Sequence, residues 1–231
     1  MSGVLPEEHI ARPVAFQRWR EVTFVHWAYE PEVVERFVPA PLVADTFADR
    51  AWVGLTLFAV EGARAASVLP VPTMVDYLET NLRTYVRAPD GRDVVLFLAL
   101  DVGSPTVAAV GRLTSLPHYW SEMAVNADEG PRYHGRRRVG GTAEYDVRVA
   151  PAAPVDDDEL ATFLTGRWRA LTAISGRIVS FNVEHQPWPL QHASILSCSE
   201  TVRAAAGLPI STLEPIGHYA AGVDVRIGVT L

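Results

Sequence analysis

The sequence predicts an α+β fold built mainly on antiparallel strands. Stretches rich in Val, Phe, Tyr, Trp and Thr outnumber helical ones, the two kinds do not alternate, and a strong turn signal joins two of the extended stretches. In chain order the predicted strands are Phe16 to Tyr29, Trp52 to Val60, Tyr77 to Arg87, Val94 to Asp101, Thr142 to Val149, Arg177 to His185 and Val223 to Val229. Pro89-Asp90-Gly91-Arg92 separates the third from the fourth, with a glycine that tolerates positive φ and an aspartate able to close the turn. Residues 77 to 101 therefore read as an antiparallel hairpin.

The predicted helices are Pro31 to Phe37, Thr106 to Leu113, Asp157 to Arg169 and Glu200 to Ala206. The third has Asp156 to Glu159 at the positive end of its dipole, an apolar face of Leu160, Phe163, Leu164 and Trp168, and Arg167 and Arg169 at its end. Pro151 to Asp158 reads as a short loop before it. Repeats, low-complexity tracts and long charge runs are absent, so residues 1–231 read as a single domain.

At 231 residues, 48% apolar and 20% charged, the composition is that of a globular chain and not a disordered or collagenous one. The 20 basic residues are all Arg, which excludes chemistry needing a lysine amine, such as a Schiff base or a P-loop. A net charge of −7 repels phosphate backbones, arguing against nucleic acid as a partner. Cys198 stands alone and cannot pair within the chain, which suits a reducing compartment. No uninterrupted apolar run of membrane length occurs, and the segment with Glu7, Glu8 and Arg12 lacks a signal pattern, so the expectation is a cytoplasmic protein without a membrane partner.

In strand periodicity Tyr77, Glu79, Asn81, Arg83 and Tyr85 share one face, and Leu78, Thr80, Leu82, Thr84 and Val86 the other. The polar face is either a solvated sheet surface or the lining of an interior, where Glu79 would serve as acid or base and Arg83 as a carboxylate clamp. A second candidate runs from Gly111-Arg112 to Pro117-His118-Tyr119-Trp120, where a Pro-fixed turn presents His118 among aromatic neighbours. Arg132, Arg136, Arg137 and Arg138 form a basic concentration, by default a solvated hairpin turn. His26, His185 and His192 lack metal-ligand spacing, and no nucleophile elbow, dinucleotide fingerprint or Walker sequence occurs, so neither metal nor cofactor is expected.

Several local patterns occur in joint order: His26-Trp27 before Pro31, Asp45-Thr46-Phe47, Ala51-Trp52-Val53-Gly54-Leu55, Glu79-x-Asn81-x-Arg83-Thr84-Tyr85-Val86, Leu116-Pro117-x-Tyr119, Phe163-Leu164-Thr165-x-Arg167-Trp168 and His185-x-Pro187-Trp188-x-Leu190. Together they resemble the domain-of-unknown-function 2071 (YqjF-like) family of the acetoacetate decarboxylase-like superfamily. The resemblance implies an antiparallel barrel or cone with an internal cavity and a few peripheral helices. Tyr77-x-Glu79 is similar to the superfamily strand that supplies an active-site carboxylate. Gly111-Arg112 followed by Pro117 is similar to the segment carrying the Schiff-base lysine, but His118-Tyr119 stand where two lysines would be and Leu113 replaces a glutamate.

The reading therefore leans to a cofactor-independent lyase, isomerase or cyclase that works by acid/base chemistry on a carbonyl- or enol-bearing small molecule. Glu79, His118 and Arg83 are the candidate catalytic residues, with Arg112, Tyr85, Asn81, Tyr119, Trp120, His26 and Trp188 as candidate substrate contacts. The alternatives are a non-catalytic binder of an apolar or aromatic ligand in the same cavity, and a scaffold for protein partners; homo-oligomerisation stays open.

Overall fold

The computed structural model describes residues 3–6, 8–66, 75–113, 116–128, 130–174 and 177–230. The first third of the chain contains β1 (Ala15–Tyr29), α1 (Pro31–Glu35), β2 (Val43–Ala44), β3 (Thr46–Phe47), β4 (Arg50–Ala65) and β5 (Val75–Arg87). The middle contains β6 (Asp93–Val102), α2 (Pro105–Arg112), β7 (His118–Asn126), β8 (Arg132–Arg137) and β9 (Glu144–Pro154). Then follow α3 (Glu159–Thr165), β10 (Arg169–Ile174), β11 (Arg177–Glu184), β12 (Leu190–Glu200), α4 (Val202–Ala205) and β13 (Ile216–Thr230). No helix among the described residues is long and apolar enough to cross a membrane.

The predicted hairpin is β5–β6. Gly91 takes φ 84°, its N–H donates to the Ala88 carbonyl at 2.8 Å, and Asp90 accepts from the Arg92 N–H at 3.1 Å. Asp158 caps α3 by accepting from the Ala161 N–H at 3.0 Å.

Four expectations are corrected. The helix predicted to Arg169 stops at Thr165, because Gly166 ends it and the chain turns extended to pair Ala170 with Val95. The helix expected over Glu200 to Ala206 keeps only Val202–Ala205, since β12 runs to Glu200. Pro151 to Pro154 continue β9 opposite β12 instead of forming a loop; β8 stops pairing at Arg132↔Arg148, leaving an edge where proline removes no ladder bond. The basic concentration is strand β8, not a turn: Tyr133 and Arg137 are buried on one side while Arg132, His134 and Arg136 are exposed on the other.

The pairing is antiparallel except where β6 meets β10 and β7. The order β6-β7-β8-β9-β12-β13-β1-β4-β5 closes into a ring because β5 also pairs with β6. The β10–β11 hairpin spans from β6 to β13 and closes a second ring. Strands β13, β1, β4, β5 and β6 are shared, so each of their faces looks into a different interior.

One interior is packed. Val25, Trp27, Leu55, Leu57 and Leu82 of the shared strands meet Tyr133, Tyr145, Val147 and Val149 of β8 and β9. The phenols of this core are satisfied, with Thr80 donating to the Tyr145 hydroxyl at 2.7 Å and Thr23 3.0 Å from that of Tyr133.

Candidate active site

The other interior holds a cavity of about 490 Å³. Strand alternation builds most of its walls: β5 contributes Glu79, Asn81 and Arg83, β4 contributes Thr56 and Phe58, and β1 contributes Trp19, Val22 and Phe24, with the register shift between Arg20 and Thr23 bringing Trp19 to the side of Val22. On β6 the register steps from Leu82↔Ala99 to Arg83↔Phe97, leaving Leu98 as the extra residue of a bulge. That step puts Phe97 and Leu100 on the same wall despite their odd spacing. The β10–β11 hairpin supplies Arg169, Ala170, Phe181 and Val183, with His185, Trp188 and α2 completing the lining.

The polar stripe expected on β5 faces this cavity. Asn81 donates Nδ2–H to the Glu79 carboxylate at 3.4 Å. Burial pushes the Glu79 carboxyl up to about 7, against the smaller opposing effect of that hydrogen bond. Arg83 donates to the Leu164 carbonyl at 3.3 Å, and its guanidinium lies over the rings of Phe24 and Tyr85 at 5.4 and 5.8 Å. Arg167 and Arg169 also reach the cavity, but Arg167 pairs with Asp45 at 2.9 Å and Arg169 with Glu8 at 3.0 Å. Arg83 has no carboxylate in ion-pair range among the described residues. Thr56 Oγ1, Asn81 Oδ1 and Arg83 Nε are buried without a hydrogen-bond partner there. Unpaired polar atoms in an apolar wall are costly, and together they mark where a ligand's polar groups would sit.

His118 opens β7 and also lines the cavity. Its ring packs on the backbone of Gly111 in α2, where a Cβ would lie 2.5 Å from the imidazole, so only glycine lets the helix approach. Burial lowers its pKa, with Arg112 acting in the same direction and the carbonyls of Leu116 and Gly111 opposing. Asn81 pairs with Leu100 and Leu100 with His118, placing His118 two strands, about 10 Å, from Asn81 along one wall. The cavity thus brings together Glu79, Asn81, Arg83, His118 and Trp188.

Five other sequence candidates lie outside its lining. Arg112 is exposed at the end of α2 and donates Nε–H to the His118 carbonyl at 3.1 Å. Tyr119 points to the opposite side of β7 from His118, where the Arg137 guanidinium covers its ring at 3.6 Å. Trp120 is partly exposed on β7. Tyr85 and His26 are fully buried behind Arg83. The Tyr85 hydroxyl donates to the Leu164 carbonyl at 2.7 Å, so His26 Nε2–H is the donor in the 2.7 Å contact between imidazole and phenol. Arg167, Arg169, His185 and the aromatic wall of Trp19, Phe24, Phe58 and Phe181 were missed as site residues. The alternation Phe181, Val183, His185 on a predicted strand was the available signal for β11; nothing local signals the two arginines.

Comparison with known proteins agrees with this architecture. The chain is 29% identical over 215 residues to the uncharacterized protein YqjF of Bacillus subtilis, covering 90% of this chain and 88% of YqjF. Among solved structures it is similar to the enduracididine biosynthesis enzyme MppR complexed with pyruvate (TM-score 0.65, 17% identity, 97% of this chain and 93% of that one). It is also similar to acetoacetate decarboxylase from Legionella pneumophila (TM-score 0.63, 13% identity, 98% and 91%). These likenesses show an acetoacetate decarboxylase-like fold. The model of domain-of-unknown-function 2071, described as an uncharacterized conserved protein, matches residues 16–224, and the chain belongs to that family.

Proposed function

We propose that the protein is a cofactor-independent enzyme of the lyase, isomerase or cyclase type, acting by proton transfer on a small anionic carbonyl or enol compound. The observation that carries this reading is a buried carboxyl whose pKa is raised to about 7, in the same cavity wall as a guanidinium with no carboxylate partner among the described residues. Arg83 would hold the substrate's anionic group and stabilise charge as an enolate develops. Glu79, about half ionised near pH 7, would remove a proton beside the carbonyl and return it elsewhere. His118, neutral at that pH, would hydrogen-bond the carbonyl or enol oxygen. With no lysine in the chain, an imine is not part of the chemistry. MppR, of similar fold, is described in complex with pyruvate and with a pyruvate condensation product, which supports a small keto acid as the first compound to test.

Exchange of the methyl protons of pyruvate in deuterated buffer, followed by NMR, reads enolisation directly. The native protein should accelerate it, with a rate that rises as pH passes through about 7 because the base is the ionised form of Glu79. Glu79→Gln should lower the rate by roughly a hundredfold or more while the fold is kept. Equal exchange with and without the protein, across a panel of keto acids that includes aromatic and hydroxylated ones, would overturn the proposal. The largely aromatic wall favours a second reading, a binder of an apolar ligand, in which the ligand is retained and its mass is unaltered.

A further inference from the structure

His185 is 6% exposed, lines the cavity, and is absent from the acid/base scheme above. Its Nδ1 lies 2.6 Å from the Gln186 carbonyl oxygen. A carbonyl only accepts, so Nδ1 carries the proton and Nε2 presents a bare lone pair. Burial keeps the ring neutral down to about pH 4.

Three indoles surround that imidazole, with ring centroids at 4.3 Å (Trp188), 4.5 Å (Trp168) and 6.2 Å (Trp19). All three indole N–H groups are committed elsewhere: Trp188 to the Thr165 carbonyl, Trp168 to that of Gly3 and Trp19 to Gln17. Among the described residues the ring's hydrogen bond is the one at Nδ1, and none of the three indoles donates to Nε2. The tryptophans fix the ring and leave its acceptor to whatever occupies the cavity.

The wall between this acceptor and the cation is aromatic. Arg83 lies over Phe24 at 5.4 Å, Phe24 meets Trp188 edge-on at 5.3 Å, and Trp188 touches His185. We propose that His185 is a specificity-determining residue, whose Nε2 accepts a hydrogen bond from a hydroxyl or N–H at the far end of a flat, aromatic carboxylate held by Arg83. This rests on the reading of Arg83 as the anion holder, and it narrows the substrate class to acids with a hydrogen-bond donor opposite the carboxylate. An acid without that donor leaves the imidazole lone pair buried and unpaired, which penalises its binding.

Calorimetric titration with 4-hydroxycinnamate, cinnamate and cinnamamide tests both layers. The native protein should bind the hydroxylated acid about tenfold more tightly than cinnamate. His185→Phe should bring the two acids to within about twofold while cinnamate still binds, which also shows that the variant folds; His185→Asn, keeping an acceptor, should restore part of the preference. Equal binding of the two acids by the native protein, or a preference that survives in His185→Phe, would overturn the role of His185 alone. If cinnamamide binds as well as cinnamate, or neither acid binds, the anion reading of Arg83 fails and the proposal falls with it.

Discussion

Arg83 and Arg137 both carry guanidiniums into the molecule from strands, on opposite sides of the shared sheet, and their surroundings differ. Arg137 makes two parallel hydrogen bonds to Asp101 at 2.9 and 2.7 Å, Ser121 donates to the same carboxylate at 2.6 Å, and Tyr119 stacks on the guanidinium. Among the described residues, Arg83 has one long bond to a carbonyl, an unpartnered Nε and two aromatic rings. The same contrast runs along β5. Thr80 and Thr84 on the packed side donate to Tyr145 and to the Trp52 carbonyl, whereas Asn81 on the hollow side keeps an unpartnered oxygen. One sheet therefore separates a face whose polar groups are satisfied internally from a face whose polar groups are not. The first is arranged for stability, and the second is the face that the proposed function gives to a ligand.

Breaking Arg137 should have the largest effect. Arg137→Ala leaves Asp101 buried without its counter-charge, and about 3–5 kcal/mol of stability should be lost in urea unfolding. Arg83→Met should change stability by no more than about 1 kcal/mol, since it removes a desolvated cation that has no carboxylate in range among the described residues. A loss from Arg83→Met as large as that from Arg137→Ala would erase the distinction between the two faces.

Glu79→Gln sharpens the comparison next. The folded carboxyl titrates at about 7 and the unfolded one at 4.5, so below pH 4.5 both states are protonated and the group is neutral in its effect. Between those values the unfolded chain releases its proton while the folded one keeps it, and stability falls as pH rises. The accumulated cost by pH 8 is about 3 kcal/mol at 1.36 kcal/mol per unit. Glutamine mimics the protonated acid, so the variant should match the native protein near pH 4 and exceed it by about that amount at pH 8. Urea midpoints at the two pH values check the sign, and a variant less stable at pH 8 would show that Glu79 has an unseen partner.

The two faces were also unequally legible in the sequence. Alternation from Tyr77 to Val86 and the Pro-Asp-Gly-Arg turn fixed the strand, its partner and the residues sharing a side, because period 2 and turn chemistry are local. Which side would be hollow was not local: it depends on the β10–β11 hairpin closing a second ring. Strand β8 escaped because Arg-Tyr-His-Gly-Arg-Arg carries arginine on both faces, and Arg137 becomes an interior residue only where Asp101 awaits it across the sheet. His185 stood at the end of a predicted strand, but its bare acceptor depends on the Gln186 carbonyl and on tryptophans from β1, the stretch after α3 and the stretch after β11, which no local pattern brings together. Tyr85 shares the face of Glu79, yet the Leu164 carbonyl draws its hydroxyl away from the cavity.

Tyr85 gives the smallest and most discriminating test, because it belongs to neither interior outright. Its hydroxyl and Arg83 converge on one carbonyl at the end of α3, while His26 donates to the phenol from behind. Tyr85→Phe removes the better of the two donors to Leu164 and leaves the His26 N–H unpaired, a loss of about 1–2 kcal/mol. With the competing hydroxyl gone, Arg83 is drawn toward the carbonyl and away from the cavity, so carboxylate affinity should fall severalfold with little change in the rate constant of the bound state. A fall in that rate constant at unchanged affinity would instead mean that the phenol reaches the reacting atoms, and that the wall of the cavity moves when a ligand binds.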